Sequence, residues 1–203
     1  MSDNITNKAE KTKDIALEYL NGNYDDVFTA LGYSDSDWAY DYSTVKFNSA
    51  KYSKSVEVRV YEIDGKYFFK DDYFKLYMED DAVLFFKNIV NKYKKENEIK
   101  VRFISPELPD LLSTKATFLD YAASSECNLE IYIISSSEFN KSDIDAILSE
   151  ICNAKIMGIF RFTVTNDKDL LSACSISEIV NEKTDSIIEK KSYSIDSSFK
   201  AVE

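Results

Sequence analysis

Trp38, Tyr40 and Tyr42 are the residues of this chain best suited by type and spacing to bind something. On an extended strand a spacing of two puts all three rings on one face. Exposed, they form a platform for a carbohydrate ring, a peptide or a partner protein, because Trp and Tyr concentrate binding energy. Turned inward, they are core. The run Ser34-Asp35-Ser36-Asp37 just before them is polar and reads as a loop, which keeps the stripe near a surface. These three are therefore the expected ligand- or partner-binding residues.

Reactive chemistry has less to work with. The chain contains no histidine, so Ser-His-Asp and Cys-His machinery and His-ligated metal sites are excluded. Four glycines leave little for a Gly-rich phosphate loop. Asp35-x-Asp37 begins like a calcium-binding loop, but Tyr40 stands where that loop needs its glycine and Lys46 where it needs its bidentate glutamate. The clusters Asp71/Asp72 and Glu79/Asp80/Asp81 read as solvated loops and helix caps. Two carboxylates can hydrolyse a glycoside without histidine, so a small carboxylate-dependent hydrolase is the alternative reading. The expectation is no catalytic residue, no metal, no cofactor, and no enzymatic activity.

Charge limits the partners. The net charge is −11; residues 1–97 carry 14 basic against 18 acidic side chains, and residues 98–203 carry 11 against 18. Neither half offers the basic surface that phosphate contacts require, so no nucleic-acid partner is expected. Cys127, Cys152 and Cys174 are an odd set without a C-x-x-C, which reads as three reduced thiols. No apolar run is long enough to span a bilayer, so no membrane insertion is expected in this chain. Protein or carbohydrate remain as ligands, with a homodimer possible.

The elements that must position these residues are legible in outline. Residues 1–8 look disordered. A helix follows from Ala9 to Leu20, with Gly22 as its stop. Short strands come next: Val27–Tyr33, then the aromatic stripe, whose apolar phase flips to Val45-Phe47 and suggests a bulge near Ser43. Val56-Val58-Val60 and Lys66–Phe69 flank Asp64-Gly65, a hairpin signature. A helix capped by Asp80 or Asp81 carries Val83, Phe86, Ile89/Val90 and Tyr93.

Residues 98–203 change style. Strand-like runs begin at Ile99, Leu129 and Ile159, with helical patterns at Thr117–Ser124, Ser142–Ala154 and Lys168–Asn181, and a last strand near Ser186–Ile195. Ser142-x-x-Asp145 resembles a capping box. Within the strands, Lys100, Arg102, Glu130, Tyr132, Arg161 and Thr163 alternate with apolar residues, which predicts one face toward helices and one toward water or a partner. The fold class expected is α+β: helices packed on one face of a mainly antiparallel or mixed sheet. Residues 9–199 form a single two-lobed domain in this reading, with lobes 9–97 and 98–199.

The stretches ALEYLNGNY, WAYDYSTVKF and EVRVYEIDGKYFFKDDYF resemble helix-plus-antiparallel-sheet domains of uncharacterised, often lipid- or membrane-anchored proteins of low-GC Gram-positive bacteria. The resemblance spans residues 9–97 and carries no catalytic residue. It implies a binding or protein-interaction module outside the membrane, with its anchor or leader beyond this chain. The polar start, Met1-Ser2-Asp3-Asn4, taken by itself reads as cytoplasmic, which keeps a cytoplasmic regulatory or assembly protein as a further alternative.

Overall fold

The computed structural model describes residues 2–167, 171, 176, 179 and 186–203. The class is α+β, with four helices and two open sheets among the described residues. The chain divides into two compact units: Met1–Tyr77 with Pro106–Lys115, and Met78–Ser105 with Ala116–Glu203. The division falls inside a helix and not at the charged stretch near residue 97.

The first unit opens with α1 (Ser2–Asn23). The helix takes in residues 2–8, where disorder was expected, and runs on through Gly22. Its buried stripe is Thr12, Ala16 and Leu20, a spacing of four. The Thr12 hydroxyl is satisfied by donating to the Lys8 carbonyl at 2.8 Å. Against the stripe lies an antiparallel sheet of β1 (Phe28–Ser34), β2 (Tyr42–Ser49), β3 (Lys54–Ile63) and β4 (Lys66–Asp71), in that order. Val45, Phe47, Val56, Val58 and Val60 fill the space between helix and sheet. The Asp64-Gly65 link is the expected tight hairpin: φ is 52° and 74° at its two residues, as a type I′ turn requires. The bulge lies in β1, between Ala30 and Gly32, and not near Ser43.

The second unit begins within α2 (Phe74–Val90). This helix starts six residues before the expected Asp80 cap. Asp71 and Asp72 serve the turn instead: Asp71 Oδ1 accepts the Tyr73 N–H at 2.9 Å, and the Asp72 carbonyl accepts the Lys75 N–H at 3.2 Å. Five apolar residues among the six from Tyr73 to Met78, broken only by Lys75, hide the helical period from a sequence reading. A mixed sheet follows in the order β5 (Asn97–Phe103), β6 (Leu129–Ser135), β7 (Gly158–Thr165), β8 (Ile187–Ile195) and β9 (Ala201–Val202). Among the described strands only β6 and β7 run parallel, joined through α4 (Lys141–Asn153). Phe86 of α2 meets Phe118 of α3 (Phe118–Ala122) and Phe160 of β7, each at 5.9 Å between ring centroids.

Two local expectations change here. The α4 cap is Asn140, whose side chain accepts the Asp143 N–H at 2.8 Å, and Ser142 donates to that same Asn140 oxygen at 2.7 Å. Every residue of β6 is buried, Glu130 and Tyr132 included, so this strand has no solvent face. Tyr132 and Ile134 pack with Ile179, which covers that side. The expected helix over Lys168–Asn181 lies largely outside the described residues, as does Cys174. Gly158 opens β7 with φ 154°, and a Cβ there would stand 2.7 Å from the Leu129 carbonyl oxygen. Cys127 and Cys152 are free thiols, and burial pushes Cys127 up to about 12.

Candidate functional site: an aromatic face on the first sheet

The three sequence-predicted residues do not share a strand. Residues 35–41 form a loop, and only Tyr42 belongs to β2. Two aspartates fold the loop. Asp37 Oδ1 accepts the Ala39 N–H at 2.8 Å and the Tyr40 N–H at 3.1 Å, while the Asp37 N–H donates to the Tyr40 carbonyl at 3.0 Å. Such Asx geometry diverts the backbone from a ladder. Asp35 Oδ1 anchors the loop base, accepting from Lys8 Nζ at 2.7 Å, the Tyr33 hydroxyl at 2.9 Å and the Ser43 hydroxyl at 3.1 Å. The Lys8 hydrogen bond leads these contacts in holding the Asp35 carboxyl down to about 2. Both acids of the failed calcium pattern thus have protein donors.

The loop pushes its aromatics outward. Trp38 is 97% exposed and Tyr40 57%. Neither is core. The apparent phase flip at Ser43 is simply the start of β2, which buries Ser43, Val45, Phe47 and Ser49 and turns Tyr42 to the other face.

Register then brings in residues that sequence reasoning missed. Tyr42 stands opposite Tyr61 on β3, and Tyr61 opposite Phe68 on β4. The Tyr40 and Tyr42 ring centroids are 5.3 Å apart, and those of Tyr42 and Tyr61 5.2 Å. Tyr40, Tyr42, Tyr61 and Phe68 therefore form one row across the outer face, running from the loop to the edge strand. The next row holds Thr44, Arg59 and Lys70. The Arg59 guanidinium lies 5.1 Å from the Tyr42 ring centroid, a cation–π contact. Ile63, beside Tyr61 on the same face of β3, is exposed as well. The signal that could have found the row was the hairpin register, since Asp64-Gly65 as a two-residue turn pairs Tyr61 with Phe68.

A second cluster lies where α1 meets β4. Asp71 accepts hydrogen bonds from the Tyr19 hydroxyl at 2.7 Å and the Tyr24 hydroxyl at 3.0 Å. Burial pushes the Asp71 carboxyl up, and these donors pull it part of the way back. Burial likewise raises both tyrosines. A cavity of 170 Å³ beside them is walled by residues of the 106–115 segment, where Glu107 and Asp110 hold Lys70 at 3.2 and 3.4 Å. Asp71 has its lone pairs committed to three protein donors, and Glu107 is tied to a lysine. The cavity is also smaller than the roughly 300 Å³ at which ligand pockets usually begin.

Among the described residues no helix is long and apolar enough to cross a membrane, and no group of three or more acids or cysteines is gathered to hold a metal ion. No family model, no curated protein and no solved structure matches the chain.

Proposed function

We propose that this protein acts by binding and not by catalysis, and that the outer face of its first sheet is the contact surface for a partner protein. The observation that carries this reading is Trp38, almost wholly exposed at the tip of a loop that two aspartates hold in shape. A large ring left in water on an ordered support is informative in a way that scattered exposed leucines are not. The row Tyr40–Tyr42–Tyr61–Phe68 extends the ring into a strip with Arg59 at its flank. Trp, Tyr and Arg are the residue types enriched at the energetic centres of protein interfaces. A strip open along its length suits a protein surface better than a small molecule. The resemblance of residues 9–97 to anchored domains of Gram-positive bacteria supports display outside the membrane.

Trp38 is the only tryptophan of the chain, so its emission reports on this surface alone. The free protein emits as a water-exposed indole. Replacing Trp38 and Tyr40 together by alanine leaves the unfolding free energy within about 0.5 kcal/mol of the parent, as for exposed side chains in general. A photo-crosslinker at position 38 captures a discrete partner from cell-envelope extract, and competition by the parent protein removes the adduct while the double variant does not compete. Equal competition by parent and variant excludes this surface. Equilibrium sedimentation of the parent and the double variant tests whether the captured partner is a second copy.

A further inference from the structure

The second face of the C-terminal sheet gathers positive charge in an acidic chain. At its centre is Glu130 on β6, its side chain 2% exposed. Register places Arg102 of β5 directly opposite it, and Arg161 of β7 reaches back from beside Tyr132. Arg102 Nη2 meets Glu130 Oε2, and Arg161 Nε donates to Glu130 Oε1. Burial pushes the Glu130 carboxyl up, but the Arg161 hydrogen bond and the two guanidinium charges outweigh it and leave it below the usual range. Both arginine side chains still face solvent, at 49% and 42% exposure. Glu130 thus holds two guanidinium forks in place with donors to spare.

A cavity of about 290 Å³ opens over this group. Arg102, Arg161 and Lys190 line it, together with the side chains of Tyr132, Thr163 and Ser192. Arg161 Nη1 donates to Ser192 Oγ at 3.4 Å, which fixes the guanidinium from a second side. Lys191 also lines the cavity but is matched by Glu189 at 2.7 Å. Among the described residues three cations therefore face one carboxylate, an excess of two charges. Tyr132, only 2% exposed, sets its ring and hydroxyl in the cavity wall beside Glu130.

We propose that this cavity binds a small phosphomonoester, its phosphate between Arg102 and Arg161 and its organic group against Tyr132 and Ile179. The charge excess matches a dianion. Guanidinium forks bind phosphate bidentately, and the hydroxyl donors of Tyr132, Thr163 and Ser192 suit an acceptor with three oxygens. A carboxylate, with one charge and two oxygens, leaves part of the site unmet. The volume of about 290 Å³ falls just short of the roughly 300 Å³ at which ligand pockets usually begin, which fits a small monoester and excludes most cofactors. A polyanion is disfavoured by the net charge of −11. The site is independent of the aromatic face and does not rest on the function proposed for it.

Calorimetric titration of the full chain with phenyl phosphate, inorganic phosphate and benzoate tests the proposal. Phenyl phosphate is expected to bind about tenfold tighter than inorganic phosphate and benzoate, the equivalent of 1.4 kcal/mol. Binding strengthens from pH 5 to pH 7.5 as the ester loses its second proton, near pH 6. Lys190→Ala and Tyr132→Phe each weaken it about fivefold or more, while far-ultraviolet circular dichroism shows both variants folded. Absence of binding, equal affinity for inorganic phosphate, or affinity indifferent to both substitutions overturns the proposal.

Discussion

The two sheets treat the same sequence pattern in opposite ways. In the first, Val56, Val58 and Val60 are buried and the alternate residues Glu57, Arg59 and Tyr61 stay partly open. In the second, Leu129, Ile131 and Ile133 alternate with Glu130 and Tyr132, yet all are buried. Both strands lie inside their sheets, so position in the ladder is not the cause. The difference lies in what the polar residues meet. Glu130 finds a guanidinium on each neighbouring strand, and Tyr132 finds Ile179. Among the described residues the Glu57 carboxylate has only Arg59, two residues along its own strand at 3.6 Å. Alternation reports a water-facing side only where the polar positions are not paired across strands.

Removing each glutamate should expose the contrast. Glu130→Ala leaves two arginines facing each other over a buried gap, and loss of about 2–4 kcal/mol is expected, short of a fully buried pair because the guanidiniums can relax toward water. Glu57→Ala should cost less than about 1 kcal/mol, as exposed pairs do. Urea unfolding of the two variants measures both, and equal losses would break the comparison.

Glycines sharpen it at the next level. Gly158→Ala drives a Cβ into the Leu129 carbonyl at a backbone position side chains rarely adopt, and should cost about 2–3 kcal/mol. Gly65→Ala shares the positive φ but has open space around it, and should cost about 1 kcal/mol. Thermal unfolding of each variant checks the order.

The smallest effect belongs to Asp35→Asn. The folded carboxyl sits at about 2 against an ordinary 3.8, so its contribution is present above pH 3.8 and fades as pH falls toward 2. Its side chain is 44% exposed, and the gain is therefore under about 1 kcal/mol. Acid unfolding should show parent and variant separated at pH 5 and converging near pH 2. A constant gap would mean that Asp35 acts through loop geometry and not through its charge.

Sequence reading reached the elements that local chemistry dictates. The Asp64-Gly65 hairpin, the β5 to β8 strands and the buried stripe of α4 all announce themselves within a few residues. It failed where a side chain bonds to backbone nearby. Asp37 turned an apparent strand into a loop, and Asn140 displaced Ser142 as a cap. It failed again where partners come from far along the chain. Tyr61 and Phe68 join Tyr42 only through strand pairing, and Arg102, Glu130 and Arg161 meet only once three strands are in register. Of the aromatic face, the three named residues were visible and the row they belong to was not.

The insertion of Pro106–Lys115 into the first unit has a consequence for biosynthesis. Lys70 waits for Glu107 and Asp110, so the amino-terminal body emerging from the ribosome stays unfinished until part of its neighbour has been translated. One proteolytic nick between residues 77 and 106 leaves this body in two pieces held only by noncovalent contacts, and three cuts are needed to part it completely from its neighbour.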